Sequence, residues 1–305
     1  MGRGRRPLPS SFKNQTITTT KRETKMKKTL LALLSAVLLI TIVQPAQAED
    51  QKVLAIIDTA IDSKNVPSVI YEACFTLNNT CPNKTNFMEG KGSASAVVWA
   101  KSVNDSIYHG DAMVKAALAV NPNIKIVFVR FHEVNSSGKS SAQADSLVKA
   151  IEWVSNNADK YSIDAVSISQ SNIKNPALCT DKTTVNAVLS MSTKNIPTFA
   201  ATGNDKKSDV VGFPACVEGA IGVGALWTLS ELEAATNRGP GLDLVAFGKI
   251  SITKVNGSQY DLAGSSGATA VSASSYISKN IYKTFQEYLK ALPKVVINKV
   301  SYSLN

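Results

Sequence analysis

The sequence predicts an α/β protein, a mainly parallel β-sheet sandwiched by helices within a single domain. Three observations predict it. Continuous apolar runs such as VLAII (53–57) mark strands buried on both faces. Helical segments alternate with them, which is the pattern of βαβ units. No Pro/Gly/Ser linker, repeat or low-complexity stretch divides residues 49–305, a length within range for one large sheet.

Taken in order, VLAII opens the sheet, GDAMVKAALAV (110–120) reads as helix and IKIVFVRF (124–131) as strand. SAQADSLVKAIEWVSNNA (141–158) is an amphipathic helix, followed by strand IDAVSIS (163–169). Asp181 to Thr193 reads as helix, then IPTFAA (196–201) and AIGVGAL (220–226) as strands. ITKVNGSQYDL (252–262) is a hairpin with an Asn-Gly turn. Helices from about Ser266 and about Tyr282 close the chain.

The formal net charge of +10 suggests a nucleic-acid binder, but the front of the chain accounts for it. Residues 26–48 run from Lys27-Lys28 through LLALLSAVLLITIV to Ala46-Gln47-Ala48, the layout of a secretory signal peptide. That run is too short for a stable membrane span. Residues 1–25 read as a basic N-terminal extension, disordered or upstream of a start at Met26. Removing residues 1–48 leaves 24 basic against 22 acidic residues, a net of about +2. Nucleic acid is excluded as a partner. The expected mature chain, 49–305, is exported to a periplasm or out of the cell.

Cys74, Cys81, Cys179 and Cys216 are an even count in an exported chain, so two disulfides are expected, in one of three pairings. Cys74–Cys81 is favoured because FTLNNT can turn, and that leaves Cys179–Cys216. Loop entropy puts these closures at about 2.5 and about 4 kcal/mol. No Cys-x-x-Cys spacing supports a metal site.

In parallel sheets, functional groups gather at the carboxyl ends of strands. Asp58 ends the first strand, and His109 and Ser266 each open a helix. An ionised Asp after VLAII needs a partner, and an imidazole is the natural one. The chain has two histidines, and His132, in FHEVNSSGK, reads as a solvated loop residue.

Asp, His and Ser in that chain order is the subtilisin order. IIDTAID, HGDAMVKAALAV, AATGND (200–205), TNRGPGLDLVAFG (236–248) and GSSGATA resemble, in order, five motifs of the subtilisin-like serine peptidases, the subtilases. The resemblance runs from about Val53 to about Asn280. It implies a subtilisin-like fold and a serine endopeptidase with Asp58, His109 and Ser266 as catalytic residues and Asn204 in the oxyanion hole. By the same resemblance, Ser169, Gln170, Ser171, Ala201, Thr202 and Gly203 line the substrate. Gly264 and Gly267 are expected to be small so that a peptide backbone can lie against Ser266.

Several positions depart from the family pattern. Ala60 replaces a Gly, Asp111 a Thr, Gly267 a Met and Ala270 a Pro. Ser169-Gln170-Ser171 stands where Ser-Leu-Gly is usual, which should make the first specificity pocket narrower and more polar. Asp111 is expected to raise the pKa of His109. The segment between Asp58 and His109 is longer than usual and carries Cys74 and Cys81. Strand VLAIID follows the signal closely, so no room is expected for an N-terminal inhibitory propeptide. The expected partners are protein or peptide substrates, and the chain is expected to be a monomer. No cofactor is required for the chemistry, and no carboxylate spacing identifies a structural calcium site. The alternative reading is a catalytically inactive subtilase-fold protein that binds peptides.

Overall fold

A computed structural model describes residues 51–95, 109–134, 140–253, 259–279, 281–298 and 300–305. The expected N-terminal extension (1–25), the signal segment (26–48) and the Asn-Gly turn lie outside these residues.

The expected α/β architecture is present. The central strands are β1 (Val53–Asp58), β2 (Val69–Phe75), β3 (Phe87–Glu89) and β4 (Lys125–Arg130). A short hairpin, β5 (His132–Val134) and β6 (Ser140–Ala142), follows. Then come β7 (Ala165–Ile168), β8 (Thr198–Ala201), β9 (Ala220–Thr228), β10 (Glu231–Leu232) and β11 (Leu244–Phe247). A second hairpin, β12 (Ile250–Thr253) and β13 (Gln259–Leu262), precedes the closing strands β14 (Lys294–Ile297) and β15 (Val300–Leu304). The helices are α1 (His109–Val120), α2 (Ala144–Asn157), α3 (Lys182–Thr193), α4 (Ser265–Ser278) and α5 (Phe285–Ala291).

The main sheet is ordered β14-β15-β11-β9-β8-β7-β1-β4-β2-β3, with β10 paired to β9. Its middle, from β2 to β11, is parallel throughout. Every residue of β1 is buried, as the continuous apolar run requires. On one face Ala112, Met113 and Ala116 of α1 and Ala268, Ala270 and Ala273 of α4 meet Leu54, Ile56 and Phe128. On the other, Leu147, Ile151 and Val154 of α2 and Val188 and Met191 of α3 meet Ala55, Ile57 and Val129.

The chain leaves β1 toward β2 and β4 on one side and returns past it to β7 on the other. The carboxyl ends of β4, β1 and β7 therefore diverge at one crevice, a topological switch point where α/β sheets place their sites.

Both expected disulfides are formed, Cys74–Cys81 and Cys179–Cys216. The first sits beside two buried charges. Arg130, at the end of β4, donates to the carbonyls of His132 (3.1 Å), Ser95 (2.7 Å) and Thr80 (3.1 Å). Glu133 accepts from the backbone N–H of Leu77 and from Thr80 Oγ1 (2.9 Å). The loop closed by Cys74–Cys81 is thereby fastened to the segment that leaves β4. Burial pulls the Arg130 guanidinium down to about 10, which leaves it cationic.

One expectation about elements needs correction, and some strands went unread. Residues 141–142, read as helix, belong to β6, because pairing with β5 claims their backbone before α2 starts at Ala144. Strands β2, β3, β14 and β15 were not legible from periodicity. In β2, Glu72 interrupts the apolar run although it is buried. Its carboxylate is held by Ser63 Oγ (2.6 Å) and by the N–H groups of Gly92 (3.0 Å) and Ala94 (3.1 Å).

Candidate active site

Asp58 ends β1 and is fully buried. Its Oδ1 lies 2.7 Å from His109 Nδ1 and accepts from the Thr59 N–H at 2.6 Å. His109 is the first residue of α1. Thr59 Oγ1 accepts the Gly110 N–H at 2.9 Å, so the residue after Asp58 satisfies a free donor in the first turn of the His109 helix. Gly110 is required there, since a Cβ would meet the Ala60 carbonyl at 2.3 Å and the Phe128 ring at 2.6 Å.

His109 feels two opposed influences. Burial disfavours its cation, while the charge and hydrogen bond of Asp58 favour it, and together they leave its pKa above the usual imidazole value. Asp111 plays no part in this. Its Oδ1 turns toward the Asp62 N–H (3.3 Å), which corrects the expectation that it raises the His109 pKa. Burial instead pushes Asp111 itself up to about 6. The Asp62 N–H and Lys115 oppose that shift, and the Asp62 and Asp58 carboxylates add to it.

Ser266 lies in the first turn of α4, where backbone N–H groups are free and the helix dipole favours negative charge. Its Oγ donates to the Ser169 carbonyl at 3.1 Å, and Ser169 Oγ returns a bond to the Ser266 carbonyl at 2.9 Å. Among the hydrogen bonds of the described residues, none joins Ser266 to His109.

Asn204 follows β8. Its Oδ1 accepts from the N–H (3.0 Å) and Oγ (3.1 Å) of Ser265, which leaves the amide nitrogen as the free end of the side chain. Gly264 (φ +132°) is small for this reason, because a Cβ would sit 2.8 Å from Asn204 Nδ2 and Oδ1. At Gly267 a Cβ would strike the Gly248 carbonyl at 2.5 Å. The space expected beside these glycines for a substrate backbone is taken by the protein itself.

A cavity of about 430 Å³ joins His109, Ser266, Asn204, Ser169, Gln170, Ser171, Ala201 and Gly203. Thr202 lies behind them, fully buried, with its carbonyl accepting from Ser171 Oγ (3.1 Å) and Asn237 Nδ2 (3.0 Å). The Ser171 hydroxyl fills space left by two glycines, since a Cβ on Gly203 or Gly212 would come within 2.5 or 2.0 Å of it. It links the segment after β7 to the segment after β8.

Sequence reading missed two residues at this site. Asn237, fully buried, holds the Asp205 and Lys207 N–H groups at 2.9 and 3.1 Å and donates to Asp205 Oδ2 at 3.0 Å. His132 is buried in β5 and lines the same cavity. Its polar neighbours in sequence suggested a solvated loop. The informative signal was its position directly after the apolar strand IKIVFVRF. Among the described residues, no cluster of three His, Cys, Asp or Glu side chains could hold a metal ion, and no helix is long and apolar enough to cross a membrane.

The family model described as "Subtilase family" matches residues 50–286. Subtilisin Savinase from Lederbergia lenta is 28% identical over 185 residues, which cover 59% of this chain and 65% of that protein. The match thus spans less than two thirds of that relative. Among solved structures, a protease from Pseudoalteromonas arctica aligns with a TM-score of 0.66 at 17% identity, covering 83% of this chain and 87% of the other. A cold-adapted subtilisin-like serine proteinase aligns with a TM-score of 0.58 at 20% identity, again covering 83% and 87%. At these identities the structural likenesses speak for the fold.

Proposed function

The chain belongs to the subtilase family, and from that premise we propose that it is an exported serine endopeptidase acting through Asp58, His109 and Ser266, with Asn204 in the oxyanion hole. The supporting observation is the Asp58–His109 pair, 2.7 Å apart at the end of β1, with His109 lining one cavity together with Ser266 and Asn204.

The Nδ1 contact with Asp58 fixes the tautomer of His109. Its Nδ1 keeps the proton, and the Nε2 lone pair is left to act as base. A bound peptide draws the Ser266 hydroxyl away from the Ser169 carbonyl to His109. The Ser266 proton then passes to Nε2 as Oγ bonds to the scissile carbonyl carbon, and the carbonyl π electrons move onto oxygen. That oxyanion is met by the Asn204 amide and by the N–H groups at the start of α4. Collapse breaks the C–N bond, the imidazolium gives its proton to the leaving amine, and an acyl group stays on Ser266. Water repeats the sequence, giving the acid and restoring the hydroxyl. Every group in this scheme belongs to the chain, so it needs no cofactor. The substrates are proteins or peptides, processed by a monomer. Export rests on the 26–48 segment and agrees with two disulfides.

The second reading is a subtilase-fold peptide binder without turnover. It is favoured by the resting bond of Ser266 to Ser169 in place of one to His109. A serine-directed phosphonate separates the two readings. Labelling of Ser266, lost in Ser266→Ala, supports the peptidase. A folded, oxidised chain that resists the label and cleaves no peptide library leaves the binder.

A further inference from the structure

The amide of Asn204 is held at its oxygen by Ser265, but the backbone that carries it belongs to the turn 202–207 after β8. A second asparagine grips that turn. Asn237, fully buried, comes from the segment between β10 and β11. Its Oδ1 accepts the N–H groups of Asp205 (2.9 Å) and Lys207 (3.1 Å). Its Nδ2 donates to the Thr202 carbonyl (3.0 Å) and to Asp205 Oδ2 (3.0 Å). The Asn237 backbone N–H donates to the Gly203 carbonyl at 2.9 Å.

The orientation of the Asn237 amide follows from its backbone partners alone. Backbone N–H groups can only donate and a backbone carbonyl can only accept, so Oδ1 faces residues 205 and 207 and Nδ2 faces Thr202. Two bonds accepted and two donated satisfy the whole carboxamide. The fit is close, since a Cβ on Gly203 would come within 2.4 Å of Asn237 Nδ2. The bonds fall on both sides of Asn204, at 202 and 203 before it and at 205 and 207 after it. Among the described residues, no hydrogen bond joins Asn237 to Asn204 itself.

We infer that Asn237 is a positioning residue of the oxyanion hole, which fixes the turn on both sides of Asn204, aims the Asn204 amide at the scissile carbonyl oxygen, and acts on turnover through that amide. Ser265 sets where the head of the Asn204 side chain rests, and Asn237 sets the backbone from which it hangs. A donor serves a developing oxyanion when it is in place before the charge forms, so the stiffness of its support is part of its action. This inference rests on the serine-peptidase reading.

The test is a double-mutant cycle on the full chain. Asn237→Asp keeps the size of the side chain and both bonds to Oδ1. It sets an oxygen against the Thr202 carbonyl and the Asp205 carboxylate, which pushes the turn apart on either side of Asn204. That variant should lose on the order of tenfold in kcat while KM stays within about twofold, as befits a contact that matters in the transition state. In Asn204→Ala the donor is already gone, so adding Asn237→Asp should cost about twofold or less. A side chain that merely held the fold would lower kcat by the same factor in both backgrounds. Asn237→Ser keeps one acceptor but loses its grip on Thr202 and Asp205, and should show the same pattern at smaller size.

Losses that multiply in the double variant overturn the inference, and so does an unchanged kcat in Asn237→Asp. Should Asn237→Asp not fold, Asn237→Ser decides by the same criteria. A readout independent of turnover is the side-chain 15N–1H signal of Asn204 in the asparagine-labelled chain, assigned by its absence in Asn204→Ala. That signal should move in the Asn237 variants. A moved signal in a chain whose wild type cleaves nothing upholds the positioning and defeats the peptidase reading. An Asn204 signal identical in the wild type and the folded variants defeats the inference, whatever the wild-type activity.

Discussion

Gly264 and Asn204 occupy one space: a Cβ at residue 264 would lie 2.8 Å from both polar atoms of the Asn204 amide. The smallest residue ahead of Ser266 thus sets the position of the proposed oxyanion donor. Asn204→Ala should leave KM nearly unchanged and cut kcat by roughly a hundredfold or more, subtilases being themselves the reference case for that magnitude. Gly264→Ala should cost a comparable share of turnover by displacing an amide that is still present. Steady-state kinetics on both variants checks this, and a wild-type kcat in Gly264→Ala would break the link.

Ser266→Ala and His109→Ala should each remove nearly all turnover, and the double variant should be scarcely worse. Groups that act in one proton transfer lose their effect together, so their losses do not add. Losses that multiplied in the double variant would mean that the two residues act independently.

The acid limb of kcat/KM should lie above the ordinary imidazole pKa, because His109 works as a neutral base and Asp58 outweighs the burial that disfavours its cation. Asp111→Asn should leave that limb in place and act on stability instead. The folded pKa of Asp111, about 6, exceeds its unfolded value. Its contribution is therefore whole below about pH 3.9 and is lost as pH rises through about 6. The neutral amide keeps an acceptor for the Asp62 N–H, so the variant should gain about 1–3 kcal/mol at pH 8 and nothing at pH 4. Denaturant unfolding at the two pH values measures the difference.

Ser171→Gly should remove the hydroxyl that links the segments after β7 and β8, where Ser171 Oγ binds the Thr202 carbonyl at 3.1 Å. Peptides with large apolar side chains just before the cut should gain roughly tenfold in kcat/KM, about the value of filling a newly opened apolar pocket. A profile that keeps its preference for small residues would mean that other groups close the pocket.

What the sequence disclosed follows from how local each cause was. Strand β1 is an unbroken apolar run, and Asp181 caps α3 by accepting the Thr184 N–H at 2.9 Å, so both could be read from neighbouring residues. The motif residues were legible because each lies at a strand end or a helix start. His132 and Glu72 were opaque, since their polarity is satisfied by Ser140 and Gln170, and by Gly92 and Ala94, partners that only the folded chain supplies. Gly267 misled for the same reason. Its missing side chain makes room for the Gly248 carbonyl, a contact across 19 positions of sequence.

Helix α4 meets the sheet and α1 through Ala268, Ala270, Ala273 and Ser274, whose Oγ donates to the Ala117 carbonyl at 2.7 Å. Side chains this short have few or no rotamers to exchange. On the helix side, the height of Ser266 above Leu54, Ile56 and Phe128 is therefore set by groups with almost nothing to rearrange. Warming loosens long side chains long before it moves a backbone, so the nucleophile should hold its place until the sheet itself gives way. Heat inactivation and loss of the fold should then be a single event, with no warm, folded and idle state below the melting temperature.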